Sequence, residues 1–146
     1  MEVMLWQNRF REYLQMRNLA ASTVLAYTRE VRPFLELMTT CGLASVAGLT
    51  RAHLEEYRTE LFYQEYRGRR LTLKTQSARL NAVRCFVRFL VRQEYLLVDV
   101  AAGLDLPKVP RSLPRTVLSE PEALRLLERP ELGTTLGLRD RAILEI

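Results

Sequence analysis

Apolar side chains in the stretch LTLKTQSARLNAVRCFVRFLVRQEY, Leu71 to Tyr95, return with the 3.6-residue period of an α-helix and keep to one of its sides. Leu80, Val83, Phe86, Val87 and Leu90 make up that side, each stabilising the fold by about 1.5–3 kcal/mol once covered. The other side is polar. At about 100° per residue, with Lys74 at zero, Ser77 falls at about 300°, Asn81 at about 340°, Arg84 at about 280°, Arg88 at about 320° and Arg92 back at zero. Six polar or cationic residues therefore share one stripe of about 80°. Burial of the apolar side fixes this helix in a bundle, and the fixed helix aims its stripe outward.

The remaining chain repeats the helical period. Glu2 to Arg17 carries Val3, Leu5, Trp6, Phe10, Tyr13, Leu14 and Met16 at amphipathic spacing, and Asn18 to Ala21 breaks the pattern. Ser22 or Thr23 is the expected N-cap of a second helix running to about Thr40, with Pro33 inside it and Gly42 as its stop. Thr50 is expected to cap a third helix reaching about Tyr66, with Leu49 and Leu54 as a hydrophobic staple. Arg67 to Arg70 would be the turn into the fourth helix, capped by Thr72, and Val98 to Leu104 would add a short helical turn. No segment shows period-2 alternation, so the expected class is all-α, in four to five helices.

Three prolines, Pro107, Pro110 and Pro114, with Lys108, Arg111 and Arg115 among them, predict an extended linker over 106–117. Ser119-Glu120-Pro121-Glu122 fits a capping box, so a new helix and a new domain are expected from residue 118. The pattern Leu136 to Ile146 ends on an apolar residue without a cap, as expected of a second domain left incomplete. The expected boundaries are 1–105, 106–117 and 118–146.

At 146 residues, 48% hydrophobic and 27% charged, such a chain can bury a real core. No stretch has the roughly 18–20 apolar residues of a membrane span, and no signal peptide opens the chain, so a cytoplasmic protein without membrane contact is expected. Cys41 and Cys85 are far apart and outside any C-x-x-C, which predicts core thiols rather than a disulfide or metal pair. The single His53 lacks the partners of a zinc site or a Ser-His-Asp triad and is expected on a solvent-facing helix surface. Neither metal nor cofactor is expected.

Net charge is +5, unevenly spread. Residues 1–66 sum to −1 and residues 116–146 to −2, whereas residues 67–115 hold 11 Lys and Arg against 3 Asp and Glu. A basic block inside a folded segment points to a polyanion. A membrane surface would require a second large apolar face beside the cations, and the apolar face is already committed to the core. Duplex nucleic acid fits: short Thr, Ser, Gln and Asn side chains can bond base edges or phosphates, while Arg69, Arg70, Lys74 and Arg84 neutralise the backbone. Arg79, at about 140°, points towards the apolar side and is expected to cross beneath the bundle or brace a turn.

The order Ser22-Thr23-x-x-x-Tyr27, then Ser77-Ala78-Arg79-Leu80-x-x-Val83-Arg84-x-Phe86-x-x-Phe89-Leu90, then Leu106-Pro107-Lys108, and Leu113-Pro114 followed by Leu118-Ser119, resembles tyrosine recombinases of the Xer and phage-integrase type over nearly the whole chain. Pro33 and Val98-Asp99 depart from the family pattern. The resemblance implies a SAM-like bundle of two crossed helical hairpins over residues 1 to about 105. Its helices opening near Ser22 and Thr72 would lie in the major groove of double-stranded DNA, and a linker would lead to the first helices of a catalytic domain. Carried over by position, the DNA-binding residues implied are Ser22, Thr23 and Tyr27, with Thr72, Lys74, Thr75, Gln76, Ser77, Arg79, Asn81, Arg84 and Arg88, flanked by Arg69 and Arg70.

The family's chemistry is strand exchange through a 3′-phosphotyrosyl bond, assisted by arginines, a lysine and histidines. Leu136 to Leu144 resembles the helix before the first catalytic arginine, so no catalytic residue is expected within the chain and none of its own cutting activity. The six tyrosines, Tyr13, Tyr27, Tyr57, Tyr63, Tyr66 and Tyr95, are expected at the core margin. Further recombinase protomers would be partners on DNA, and the chain alone would be a monomer or an oligomer joined through its tail. Two rival readings remain: a helical protein-interaction module using the proline segment or Ala142 to Ile146, and a stand-alone DNA-binding regulator.

Overall fold

A computed structural model of the chain describes residues 2–110 and 118–145, in two compact units that divide after Val109. The first unit holds α1 (Val3–Met16), α2 (Ala21–Thr40), a 3-10 turn (Val46–Gly48), α3 (Arg51–Tyr63), a two-stranded hairpin of β1 (Glu65–Tyr66) and β2 (Arg69–Arg70), and α4 (Leu73–Arg92). The second holds α5 (Glu120–Leu127) and α6 (Thr135–Leu144). The class is all-α apart from that hairpin.

In the first unit α1 packs on α2, and α4 lies against α2 and α3. Their apolar stripes meet in one core: Phe10 and Leu14, then Val31, Phe34, Leu35 and Met38, then Leu54 and Leu61, and from α4 Leu80, Val83, Phe86, Val87 and Leu90. Aromatic edges lock the layers, with Phe10 against Phe86 at 5.3 Å between centroids and Phe34 against Tyr57 at 5.2 Å. Every α4 residue expected to be apolar and inward is buried.

Helix ends refine the expectations. α1 is closed by Asn18 in a left-handed conformation (φ 54°), which leaves only Leu19 and Ala20 before α2. Ala20, not Ser22 or Thr23, is therefore the N-cap, and both hydroxyl residues sit in the first turn of α2. The α2 helix runs through Pro33 and stops at Gly42 (φ 78°), where the Leu43 amide donates to the Met38 carbonyl and the Gly42 amide to that of Thr39. His53 is not a free surface residue: its Nδ1 accepts the Thr50 amide at 3.1 Å, giving α3 a capping box with histidine in place of an acid.

α3 ends at Tyr63, short of the expected Tyr66, because Arg67 and Gly68 both take positive φ (55° and 73°) and fold 65–70 into a hairpin with Tyr66 opposite Arg69 and Glu65 opposite Arg70. α4 is shorter than Leu71 to Tyr95. Thr72 caps it, accepting the Thr75 amide at 3.2 Å, and Glu94 (φ 59°) reverses the chain after Gln93. Residues 98–104 form turns rather than helix, held by Asp99 Oδ1 accepting the Ala101 amide and by the Arg51 guanidinium donating to the Gly103 carbonyl at 2.9 Å.

In the second unit the Ser119 amide and hydroxyl both donate to Glu122, at 2.9 and 2.7 Å, opening α5 as a capping box. Thr134 caps α6, and Arg141 donates to the Leu127 carbonyl at 2.7 Å. Leu124, Leu132, Leu136, Leu138 and Ile143 are exposed there. The linker expectation falls largely on residues 111–117, outside the described residues. Among the described residues, no helix is long and apolar enough to cross a membrane.

Candidate nucleic-acid interface

Because the apolar side of α4 is spent on the core, its stripe stands at the surface: Lys74, Asn81, Arg88 and Arg92 are exposed, Ser77 and Arg84 half-buried. The first turns of α2 lie beside it. Together they line a groove of about 360 Å³, with Arg17, Leu19, Thr23 and Tyr27 on one wall and Asn81, Arg84, Cys85 and Arg88 on the other. A smaller recess of about 210 Å³ shares Tyr27 and Asn81 and is otherwise lined by Glu30 and by Ala26, Ala78 and Ala82, three small side chains that let α2 and α4 approach closely.

Charge in this groove and along the rest of the stripe is only partly compensated. Among the described residues neither Lys74 nor Arg84 takes part in a hydrogen bond or ion pair. Arg88 reaches Asp99 only at 4.0 Å, and Arg92 donates to the Tyr13 hydroxyl at 3.1 Å, a neutral partner. Burial pushes the Cys85 thiol above its ordinary pKa, opposed by the nearby charges of Arg17, Arg88 and Arg92. Of these, Arg17 and Arg88 line the groove together with Cys85. A larger cleft of about 550 Å³ lies between α3, the start of α4 and Leu106-Pro107, but its one arginine, Arg58, is paired with Glu55 at 3.2 Å. That cleft lacks the free cations of the first groove.

Two of the residues named from the sequence point inward. Gln76 is buried and its Nε2 donates to the Leu71 carbonyl at 2.9 Å. Arg79 donates to Gln64 Oε1 at 2.7 Å and lies 3.6 Å from Glu30, with only 19% of either charged side chain exposed. It braces α4 against α2 and the base of the hairpin. The physical reason is angular: at about 200° and 140° from Lys74, both face away from the stripe.

Thr72 and Thr75 join hydroxyls at 2.9 Å in the α4 cap, Ser22 is exposed on the first turn of α2, and Arg69 and Arg70 belong to the hairpin. Of the tyrosines, Tyr57 is in the core rather than at its margin. Its hydroxyl has no hydrogen-bond partner, and burial pushes its pKa up, with Arg79 pulling it down and Glu30 pushing it up. Tyr63 and Tyr66 stand out into solvent. Among the described residues no cluster of His, Cys, Asp or Glu could hold a metal ion.

Arg17 and Leu19 line the groove without having been named from the sequence, and Cys85, expected in the core, is half-buried in its wall. Arg17 lies at the end of α1, and only the packing of α1 on α2 brings it to α4. No periodicity within α4 carries that signal.

Residues 6–96 match the family described as phage integrase, N-terminal SAM-like domain. Similar proteins include the tyrosine recombinase XerC 2 of Ralstonia nicotianae, 38% identical over 136 residues, which are 92% of this chain and 39% of that protein. The tyrosine recombinase XerC of Xylella fastidiosa is 36% identical over 130 residues, 89% of this chain and 42% of its own. That of Oceanobacillus iheyensis is 32% identical over 143 residues, 97% and 45% respectively. The chain spans about two fifths of the length of the curated relatives it matches. No solved structure matches.

Proposed function

The chain belongs to the tyrosine recombinase family of phage integrases through its N-terminal SAM-like domain, and from that premise we propose that it is the part of a site-specific recombinase that holds duplex DNA. Residues 1–105 are the DNA-binding domain, 106–117 the linker and 118–146 the start of the catalytic domain. The whole protein exchanges DNA strands through a 3′-phosphotyrosyl intermediate, with other protomers bound at the same site, in the cytoplasm.

What supports the reading is the groove in which Thr23 and Tyr27 of α2 face Asn81 and Arg84 of α4, with Arg17 and Arg88 at its edges. Hydrogen-bonding side chains at its centre suit base edges, and guanidinium groups around them, unpaired at Arg84 and only weakly paired at Arg88, suit phosphates. In this reading Thr23 and Asn81 face base edges, while Lys74, Arg84 and Arg88 contact phosphates and Ser22, Tyr27 and Ser77 border the contact. Thr72 and Thr75 hold the N-terminus of α4 in place behind them. Gln76 and Arg79 position these groups without touching DNA.

The test is fluorescence anisotropy of a labelled mixed-sequence duplex titrated with the chain at several salt concentrations. Binding that weakens steeply with salt is expected, and K74A/R84A should reduce the log–log slope by about 2, near 0.9 for each lost phosphate contact. Absent or salt-independent binding would overturn the reading.

A further inference from the structure

The Arg67-Gly68 turn carries a cation where a hairpin of this type ordinarily takes asparagine or glycine, since both central residues need positive φ. A left-handed φ of 55° is one that arginine does not favour. Two further arginines follow on β2, and opposite residues of an antiparallel pair share a face. Arg69 therefore lies on the face of Tyr66, Arg70 on that of Glu65, and Arg67 at the tip. Among the described residues none of the three enters an ion pair.

Aromatic rings hold two of these cations instead. The Arg70 guanidinium lies 5.1 Å from the Phe62 ring centre and 5.9 Å from that of Tyr63, and Arg67 lies 5.4 Å from Tyr66. A guanidinium stacked on a ring keeps its N–H edge available, and that edge fits two oxygens of a phosphate. The three rings are 48%, 63% and 65% exposed, so they support the arginines rather than the core. The Leu71 amide closes the base of the hairpin by donating to the Gln64 carbonyl at 3.2 Å, and Arg79 of α4 holds the Gln64 side chain at 2.7 Å. Guanidinium groups held in place before binding lose less entropy when they meet a ligand.

Arginines on an edge strand can serve to block pairing with another strand. That accounts for Arg69 and Arg70 but not for Arg67, which lies in the turn. We propose that the 65–70 hairpin is a phosphate clamp, a second grip on duplex DNA separate from the α2–α4 groove, adding affinity without selecting bases. This rests on the DNA-binding reading above.

The experiment compares the full chain with R67Q/R69Q/R70Q and with R84Q, by anisotropy on two duplexes of unrelated sequence across salt, with thermal unfolding and gel filtration of each. Expected for the hairpin variant is binding that persists with a slope lower by about two to three. Its affinity should fall by about tenfold or more at low salt, equally on both duplexes, with unfolding and elution unchanged. The single change R69E, at an exposed strand position, guards against disruption of the hairpin and should lower the slope by at least about one. If the unmodified chain binds and R84Q weakens it while neither hairpin variant changes the slope, the clamp is refuted and the groove stands. If the unmodified chain binds no duplex, both readings fail. If the hairpin variants instead abolish self-association seen by gel filtration, the surface serves a second copy of the chain and the clamp is refuted.

Discussion

The two flanks of α4 put the same residue type to opposite uses. Arg79 and Arg84 are five residues apart and about 140° apart around the helix. Arg79 is enclosed by Glu30 and Gln64, and Arg84 lines an open groove with no partner of its own. A basic block in a sequence is therefore not one surface: the helical angle decides which cations hold the protein together and which remain for a ligand. Loss of the inner cation should be read in stability, and loss of the outer one in binding.

The largest effect is expected from R79M, which leaves the Gln64 Oε1 without its donor and the mostly buried Glu30 with only Arg29, at 2.8 Å. Thermal or urea unfolding should show a loss on the order of 2 kcal/mol, while the salt slope of the protein that remains folded stays unchanged. A smaller slope would place Arg79 on the DNA. Next comes T50A, which removes the hydroxyl of the α3 cap. It should cost about 1 kcal/mol in the same unfolding measurement with DNA affinity unaffected, since α3 lies outside the groove. R84A inverts that pattern, with stability within about 0.5 kcal/mol of the parent and a salt slope lower by about 0.9.

The smallest effect concerns Glu122, exposed at the start of α5. Hydrogen bonds from the Ser119 hydroxyl and amide hold its carboxyl below the ordinary value of 4.5. A depressed carboxylate stabilises the fold above its unfolded pKa, and that contribution is lost as pH falls through the lowered folded value. Hydrogen exchange of the α5 amides should therefore speed up in acid, below the usual carboxylate range, and E122Q should remove most of that pH dependence.

Much of this was legible in the sequence. The core face of α4, the caps at Thr50, Thr72 and Ser119, and the stop at Gly42 follow from local rules that use only neighbours within a turn or two. Features set by packing between distant segments were not. The early start of α2 depends on Asn18 taking a left-handed conformation, and the hairpin depends on Arg67 doing the same without an Asn-Gly signal. Arg17 enters the groove only through the α1–α2 contact. His53 read as a surface residue because its capping role uses a ring nitrogen where an acid is the familiar partner. Arg79 was placed on the correct side by the helical wheel, yet its partners Glu30 and Gln64 come from other elements. Composition and period give the stripe, and only the assembled bundle gives its opposite wall.

The central claim is that duplex DNA docks on the surface formed by the first turns of α2 and the polar stripe of α4, and amide chemical shifts recorded while a duplex is titrated into the isotope-labelled chain address it most directly. The account predicts that the largest shifts fall on Thr23, Tyr27, Asn81, Arg84 and Arg88, with Arg58 and Thr59 in the cleft beside α3 little changed. Shifts concentrated in that cleft or on α5 and α6, with the groove residues unmoved, would contradict it.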